Sequence, residues 1–357
     1  MYDVAIVGGG PAGSACAALC AKAGLETLLL EREIFPREKV CGDCLNPACW
    51  SILRRLDLLD RIRDLPHGVL DRVEFIGIGG QSVVVKFPEE GEIAVKRSLF
   101  DHVLLNRARE LGAVIMEGKT VTALTGPESG SRNWTITTSD QAYQARVLVA
   151  ADGRNSTVSR ICNLLPRSTR ERIALQTHLP LPANFGDRVV LQFLPEGYAG
   201  QAPIGEGQLN LCLVGSPNEV EGLRSWAMAH FQIGNDQVWR TITPLTRAPI
   251  AVTQRSLFLI GDAARVVEPF TGEGIYYAMA TGTLAADAII ARHRGQDEIR
   301  AASAYVAAHS KLYRGRLWIN RLARTAALSP RIASTLLRVV RVQPTLLRFL
   351  TERVVGE

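Results

Sequence analysis

The apolar runs and their spacing divide the chain into recognisable elements. Val4-Ala5-Ile6-Val7 is short and wholly apolar, the pattern of a parallel strand buried on both faces. Ser14 to Ala23 is built of Ala and other small residues and predicts a helix, with Gly24 placed for a left-handed cap. Thr27-Leu28-Leu29-Leu30 predicts a second strand, closed by Glu31, so the first thirty residues read as a βαβ unit. Extended runs recur at Val83–Val85, Ala113–Met116, Trp134–Thr137, Ala145–Ala150 and Leu257–Ile260. Phe100 to Leu111 has helical spacing and stops at Gly112. Segment 171–216 carries strand-like runs at Arg188–Phe193 and Leu209–Val214 and predicts a β-rich insertion. A long small-residue helix starts near Gly274, and from Ile299 onward the pattern predicts successive helices broken at Pro330 and Pro344.

Composition narrows the class. The 357 residues are 47% hydrophobic and 21% charged, a globular balance. No apolar stretch of about 18 residues predicts a membrane span, and the N-terminus lacks the basic, apolar pattern of a secretory signal. Seven cysteines in a chain of this size suit reduced thiols and a cytoplasmic setting. The net charge of +6 is uneven. From Lys311 to Glu357 ten cations oppose Glu352 and Glu357, giving +8, so the body is nearly neutral. That distribution argues against a nucleic-acid binder.

The candidate chemistry begins at Gly8-x-Gly10-x-x-Gly13, after a strand and at the start of a helix. Glycines there allow a tight turn and close approach of the backbone to a pyrophosphate, which the helix N-terminus attracts. Glu31, 18 residues after Gly13, can accept from an adenosine ribose. Two further segments follow: Val147–Ala150 runs through Ala151 into Asp152-Gly153-Arg154, and Leu257–Ile260 into Gly261-Asp262 and on to Pro269-Phe270-Thr271-Gly272-Glu273-Gly274-Ile275.

These three segments, in this order, resemble the FAD-binding motifs of the para-hydroxybenzoate-hydroxylase superfamily. Lys39-Val40-Cys41-Gly42-Asp43 and the stretch at 269–275 resemble the geranylgeranyl-reductase group within it. The resemblance implies an α/β fold, with a Rossmann-type FAD-binding domain interleaved with a β-sheet substrate domain, plus C-terminal helices. It implies an FAD domain over 1–75, 95–165 and 250–295, a substrate domain over 76–94 and 166–249, and a helical segment over 296–357. Gly8, Gly10, Pro11, Ala12 and Gly13 would hold the pyrophosphate, and Glu31 with Arg32 the adenosine side. Lys39, Cys41, Gly42, Arg97, Val121, Asp152, Gly153, Gly261 and Asp262 would line the cofactor, with Gly272, Glu273, Gly274 and Ile275 beside the isoalloxazine. With no second GxGxxG, NAD(P)H would dock transiently as the electron donor.

Cys41, Cys44 and Cys49 supply three thiols where a metal site needs about four ligands, so no metal is expected and buried structural thiols are favoured for Cys44 and Cys49. Cys41 occupies the position resembling the flavin-side cysteine of geranylgeranyl reductases and is a catalytic candidate, as is Tyr198. Tyr198, His178 and Glu273 are candidate proton donors. Where those reductases carry aromatic-x-Trp-x-Phe-Pro, this chain keeps Tyr198 and Pro203 but has Gly200 and Ala202, which predicts a wider or differently lined pocket.

Three chemistries suit the scaffold. A reductase would saturate a carbon–carbon double bond of an isoprenoid or lipid-like substrate. A monooxygenase would hydroxylate an aromatic or polyketide compound through a flavin hydroperoxide. A halogenase would need a WxWxIP-type segment, which the sequence lacks. A non-catalytic FAD-bound module is a fourth reading. The tail places Arg among Trp318, Leu322, Leu336 and Leu347, which fits either helices packed on the body or a peripheral membrane contact through 311–357.

Overall fold

The computed structural model describes residues 1–88, 91–127, 133–166, 172–267 and 272–314. The chain opens with β1 (Tyr2–Val7), α1 (Pro11–Lys22), β2 (Thr27–Leu30) and β3 (Cys44–Leu45). Helices α2 (Ala48–Arg55) and α3 (Leu59–Arg63) precede β4 (Gly68–Leu70), β5 (Arg72–Ile76), β6 (Ser82–Lys86) and β7 (Glu92–Ala94). Next come α4 (Arg97–Glu110), β8 (Val114–Met116), β9 (Val121–Thr125), β10 (Trp134–Thr138), β11 (Ala142–Ala150) and α5 (Thr157–Ile161). The substrate-side segment holds β12 (Ile173–Pro180), β13 (Arg188–Leu194), β14 (Gly197–Pro203), β15 (Gln208–Gly215), α6 (Val220–His230) and β16 (Arg240–Ile242). The chain then returns through β17 (Thr253–Gln254) and β18 (Leu257–Leu259) to α7 (Gly274–His293) and α8 (Glu298–Tyr313).

The first sheet runs β17-β18-β11-β1-β2-β8, with β10 and β9 extending from β11. Its centre is parallel, and Ala5 pairs with both Leu28 and Leu148. Covered on both faces, these strands read as continuous apolar runs. Helix α1 is almost wholly buried because its small residues admit α7 at very short range. A Cβ on Gly282 of α7 would lie 2.3 Å from the Ala12 carbonyl oxygen. Helix α7 is long and apolar enough to span a membrane, yet 61% of its apolar window is buried inside the protein, as suits a core helix.

The second sheet runs β16-β12-β15-β14-β13-β5-β6. Period-two alternation gives it two distinct faces. Leu175, Leu179, Ala199, Leu211 and Leu213 pack with Leu223 and Ala227 of α6. The opposite face carries aligned rows: Ala174, Val214 and Tyr198; Gln176, Cys212 and Gly200; His178, Asn210 and Ala202. This second face looks toward the 39–43 loop of the first domain: Val40 joins its apolar cluster.

The structure moves two expected boundaries. Strand β5, at 72–76, already pairs with β13, so the second sheet begins before residue 76. Strand β7, at 92–94, belongs to a separate three-stranded sheet with β3 and β4. Helix α6 was not expected; its few core-facing apolar positions leave a weak periodic signal. The expected helix from Ile299 is α8, whereas Pro330, Pro344 and nearly all of the basic tail lie outside the described residues.

Candidate functional site

The glycine turn is shaped by steric need. Gly8 has φ +108°, and a Cβ there would lie 2.4 Å from the Ala151 carbonyl oxygen. A Cβ on Gly13 would lie 1.9 Å from the Gly8 carbonyl oxygen. Only glycine allows strand β1, the Asp152 loop and α1 to converge this closely. Gly10 caps α1 in extended backbone with no side-chain cap and no acid in the first turn. The first amides therefore stay available to an anion, at the positive end of the helix. Pro11, at the start of α1, has no amide hydrogen to leave unpaired.

Glu31 braces this turn. Its carboxylate accepts from the Gly9 N–H at 2.6 Å and the Glu33 N–H at 2.9 Å. Arg32 is exposed and pairs with Glu33 at 3.3 Å. Val121 opens β9 and is buried in the apolar cluster of Trp134 and Ile136.

Cations surround the turn. Arg97 starts α4 and donates from Nε and Nη2 to both oxygens of fully buried Asp101, each at 2.7 Å. Arg37 reaches the same carboxylate at 2.9 Å. Two guanidiniums share one carboxylate, leaving positive charge over. Arg37 Nη2 would lie 3.7 Å from a Cβ on Gly10, and its buried Nη1 has no partner among the described residues. An unsatisfied guanidinium nitrogen beside uncapped helical amides suits a pyrophosphate. Burial, then Arg154, Arg97 and Arg37, lower the Lys39 ammonium to about 8.

The other two segments meet this site. Asp152 accepts from the Val158 N–H at 3.0 Å, and burial raises its carboxyl. Arg154 donates to Asp262 at 3.0 Å, joining two segments far apart in sequence. Arg247 clamps the same junction from the substrate-side segment, donating to the carbonyls of Arg154, Asp262 and Ala263 at 3.1, 2.9 and 2.6 Å. Gly261 packs beside Ala12. Helix α7 begins at Gly274 after Glu273, without a side-chain cap. Pro269, Phe270 and Thr271 lie outside the described residues. A Cβ on Gly42, Gly153 or Gly274 would meet nothing within 4 Å, so these loops border open space. Uncapped helix ends, an orphaned guanidinium nitrogen and that space together fit a dinucleotide with a flat ring.

The 39–43 loop is bolted to the second sheet at one atom. The Cys41 carbonyl accepts from Gln176 Nε2 at 2.9 Å, Asn210 Nδ2 at 2.8 Å and the Cys212 thiol at 3.2 Å. Burial raises the Cys41 thiol, while Arg97, which it hydrogen-bonds, pulls the other way. The net shift is upward, so this thiol stays protonated at neutral pH. Tyr198 is buried with Phe193, Val214 and Val40 in the apolar part of the seam. Gly272 approaches Cys44, and Ile275 is buried in the first core. Behind the loop, burial and then the neighbouring Glu273 push Glu92 up to about 8. Glu273 accepts from the Tyr277 hydroxyl at 3.3 Å.

Sequence reasoning did not single out Arg37, Asp101, Arg247, Gln176, Asn210 or Glu92. Arg37 was within reach, two residues before the Lys39–Asp43 stretch. The others are single polar residues whose partners lie 60 or more positions away in several cases, and no local spacing marks them.

This site and fold define a flavoprotein built to hold FAD. The chain belongs to the FAD binding domain family, whose model matches residues 1–180, and it is an FAD-dependent oxidoreductase. It is 30% identical over 317 residues to a menaquinone reductase of Mycolicibacterium smegmatis, covering 80% of this chain and 75% of that protein. It is 28% identical over 320 residues to a geranylgeranyl diphosphate reductase of Synechocystis, covering 81% and 75%. The fold is shared with the flavin-dependent brominase Bmp2, with TM-score 0.80, 23% identity, and coverage of 98% of this chain and 93% of that one.

Proposed function

We propose that this oxidoreductase saturates a carbon–carbon double bond in the isoprenoid chain of a lipid-like substrate of the prenylquinone class, with NAD(P)H as electron donor. FAD, when bound, would supply the two-electron chemistry between nicotinamide and substrate. The observation that carries the reading is the seam at Cys41. A protonated thiol stands beside Arg97, on a loop held to the substrate sheet by three donors. Reductive saturation needs a dry, rigid seam that places a substrate carbon and excludes water. Gly200 and Ala202 put two small residues in line between the larger side chains of that face, which suits a long, thin chain better than a flat polar ring. Names of relatives point the same way: one acts on menaquinone, another on geranylgeranyl diphosphate.

The residues divide the work. Gly8, Gly10 and Gly13, with Arg37, hold the pyrophosphate. Arg97 and Asp101 keep the 39–43 loop in register. Gln176 and Asn210 fix the distance between that loop and the substrate face. The basic stretch from Lys311 contacts anionic lipid, where such a substrate dissolves; co-sedimentation with anionic vesicles checks this, and equal binding to neutral vesicles overturns it.

Anaerobic mixing of dithionite-reduced enzyme with menaquinone tests the reading. The expected result is flavin reoxidation with a product that gains two hydrogens on its isoprenoid chain. Turnover that requires dioxygen and inserts oxygen into the substrate would replace it with the monooxygenase reading.

A further inference from the structure

The flavin-side loop ends on a carboxyl that its surroundings leave unsatisfied. Asp43 is only 1% exposed. Neither of its carboxyl oxygens has a hydrogen-bond partner among the described residues. Its backbone lies at φ +63°, a conformation that costs a non-glycine residue energy and persists only where the surroundings impose it. The main chain is held there by the Val95 N–H, which donates to the Asp43 carbonyl at 2.9 Å.

His178 Nε2 lies 3.6 Å from Asp43 Oδ2. His178 stands on β12, on the face turned to the loop, in the row shared with Asn210 and Ala202. Its side chain is 15% exposed, so it meets open space that Asp43 does not. Gln237 holds its main chain, donating to the His178 carbonyl at 3.0 Å. The other charged and titratable groups facing Asp43 are Arg97, Glu38 and the thiols of Cys41, Cys44 and Cys212. Burial outweighs His178 and Arg97 and pushes the carboxyl up to about 6. A buried acid and an imidazole facing each other across a seam, one dry and one reaching outward, have the order of a proton relay.

We propose that His178 is the catalytic residue that delivers the proton in the reduction, and that Asp43 is the positioning residue that resupplies it. The inference rests on the reductase reading above. Saturation needs one hydride and one proton. Hydride from reduced FAD, which is thereby oxidised, forms a carbon–hydrogen bond at one alkene carbon. The displaced π pair takes a proton from one ring nitrogen of His178, forming the second carbon–hydrogen bond. Asp43 transfers its proton to Nε2 and is left as carboxylate. Solvent returns that proton after product leaves.

The holoenzyme tests it with His178→Gln and Asp43→Asn, each checked first for FAD content and melting temperature. Formation of the product with two added hydrogens on the isoprenoid chain, from reduced enzyme and menaquinone, is followed without oxygen. The expected loss is about 100-fold for His178→Gln and about 10-fold for Asp43→Asn, while reoxidation by ferricyanide, which needs no proton delivery, is unchanged. An infrared titration of the holoenzyme supplies a reading independent of turnover: a protonated-carboxyl band lost near pH 6 in the natural protein and missing in Asp43→Asn. If His178→Gln loses FAD, the near-isosteric Asp43→Asn decides. Normal menaquinone rates in variants of an active enzyme overturn the relay alone. A natural enzyme that leaves menaquinone unreduced overturns the reductase reading and the relay with it, even with the infrared band present.

Discussion

The two walls of the site are made in opposite ways. The flavin side is built from backbone: glycines at 8, 10 and 13, uncapped helix ends at Gly10 and Glu273, and loops at Gly42 and Gly153. The substrate side is built from side chains: Gln176, His178, Asn210 and Cys212, standing on one face of β12 and β15. Backbone recognition tolerates almost no change of shape at Gly8 and Gly13, where a single Cβ would collide with a carbonyl. Side-chain recognition tolerates substitution and is where specificity can change while the cofactor stays. Relatives named for different substrates, menaquinone and geranylgeranyl diphosphate, fit this division.

The comparison can be broken most forcefully at Gly13. Gly13→Val should abolish FAD retention and cost more than about 4 kcal/mol, because the new atoms overlap the Gly8 carbonyl. Flavin absorbance of the purified protein and its melting temperature would show this. A variant that keeps FAD would mean that the turn is looser than its geometry.

The next effect lies on the seam. Asp43 has its carboxyl raised from 3.8 to about 6, so its favourable contribution is fully present below pH 4 and is lost as pH rises through 6. Asp43→Asn cannot ionise. Its stability relative to the natural protein should therefore rise by about 2 kcal/mol between pH 4 and pH 7. Denaturant unfolding at the two pH values measures the difference.

Breaking the bolt should separate the two walls cleanly. Gln176→Leu or Asn210→Leu removes one donor from the Cys41 carbonyl and should cost about 1–3 kcal/mol. Substrate turnover should fall while FAD is retained, as absorbance and steady-state kinetics would show. Loss of FAD instead would place these residues on the flavin side.

A smaller effect sharpens the flavin side. Lys39, lowered to about 8 by burial and by Arg154, Arg97 and Arg37, is a cation below that pH and neutral above it. FAD affinity should fall about fivefold from pH 7 to pH 9, roughly 1 kcal/mol, and Lys39→Gln should flatten the dependence. Fluorescence titration with FAD measures both. At the bottom of the scale, Arg61→Ala breaks a bidentate but half-exposed pair with Glu110. It should shift stability by less than about 1 kcal/mol and leave FAD binding untouched.

The flavin wall was largely legible in the sequence. Its glycines, its buried strands and Glu31 sit at short spacings that only a turn between strand and helix explains. The substrate wall was legible only as strands. Gly200 and Ala202 stood out as small where larger residues were expected, but nothing placed them in line with Cys212 and Asn210. Arg247 was silent for the same reason: it is one polar residue whose partners come from other segments.

The sequence by itself determined the αβ class, the three cofactor segments and the uneven charge, because each rests on neighbours in the chain and on the steric freedom of glycine. Only the tertiary structure decided what faces the flavin loop. Strand pairing gathers residues 176, 178, 210 and 212 on one face, and packing of the 39–43 loop on that face brings residue 41 to residues 176, 210 and 212 and residue 43 to residue 178. Burial then turns ordinary side chains into a protonated thiol and an acid raised to about 6. Those properties come from lost water and close partners, which no one-dimensional spacing records.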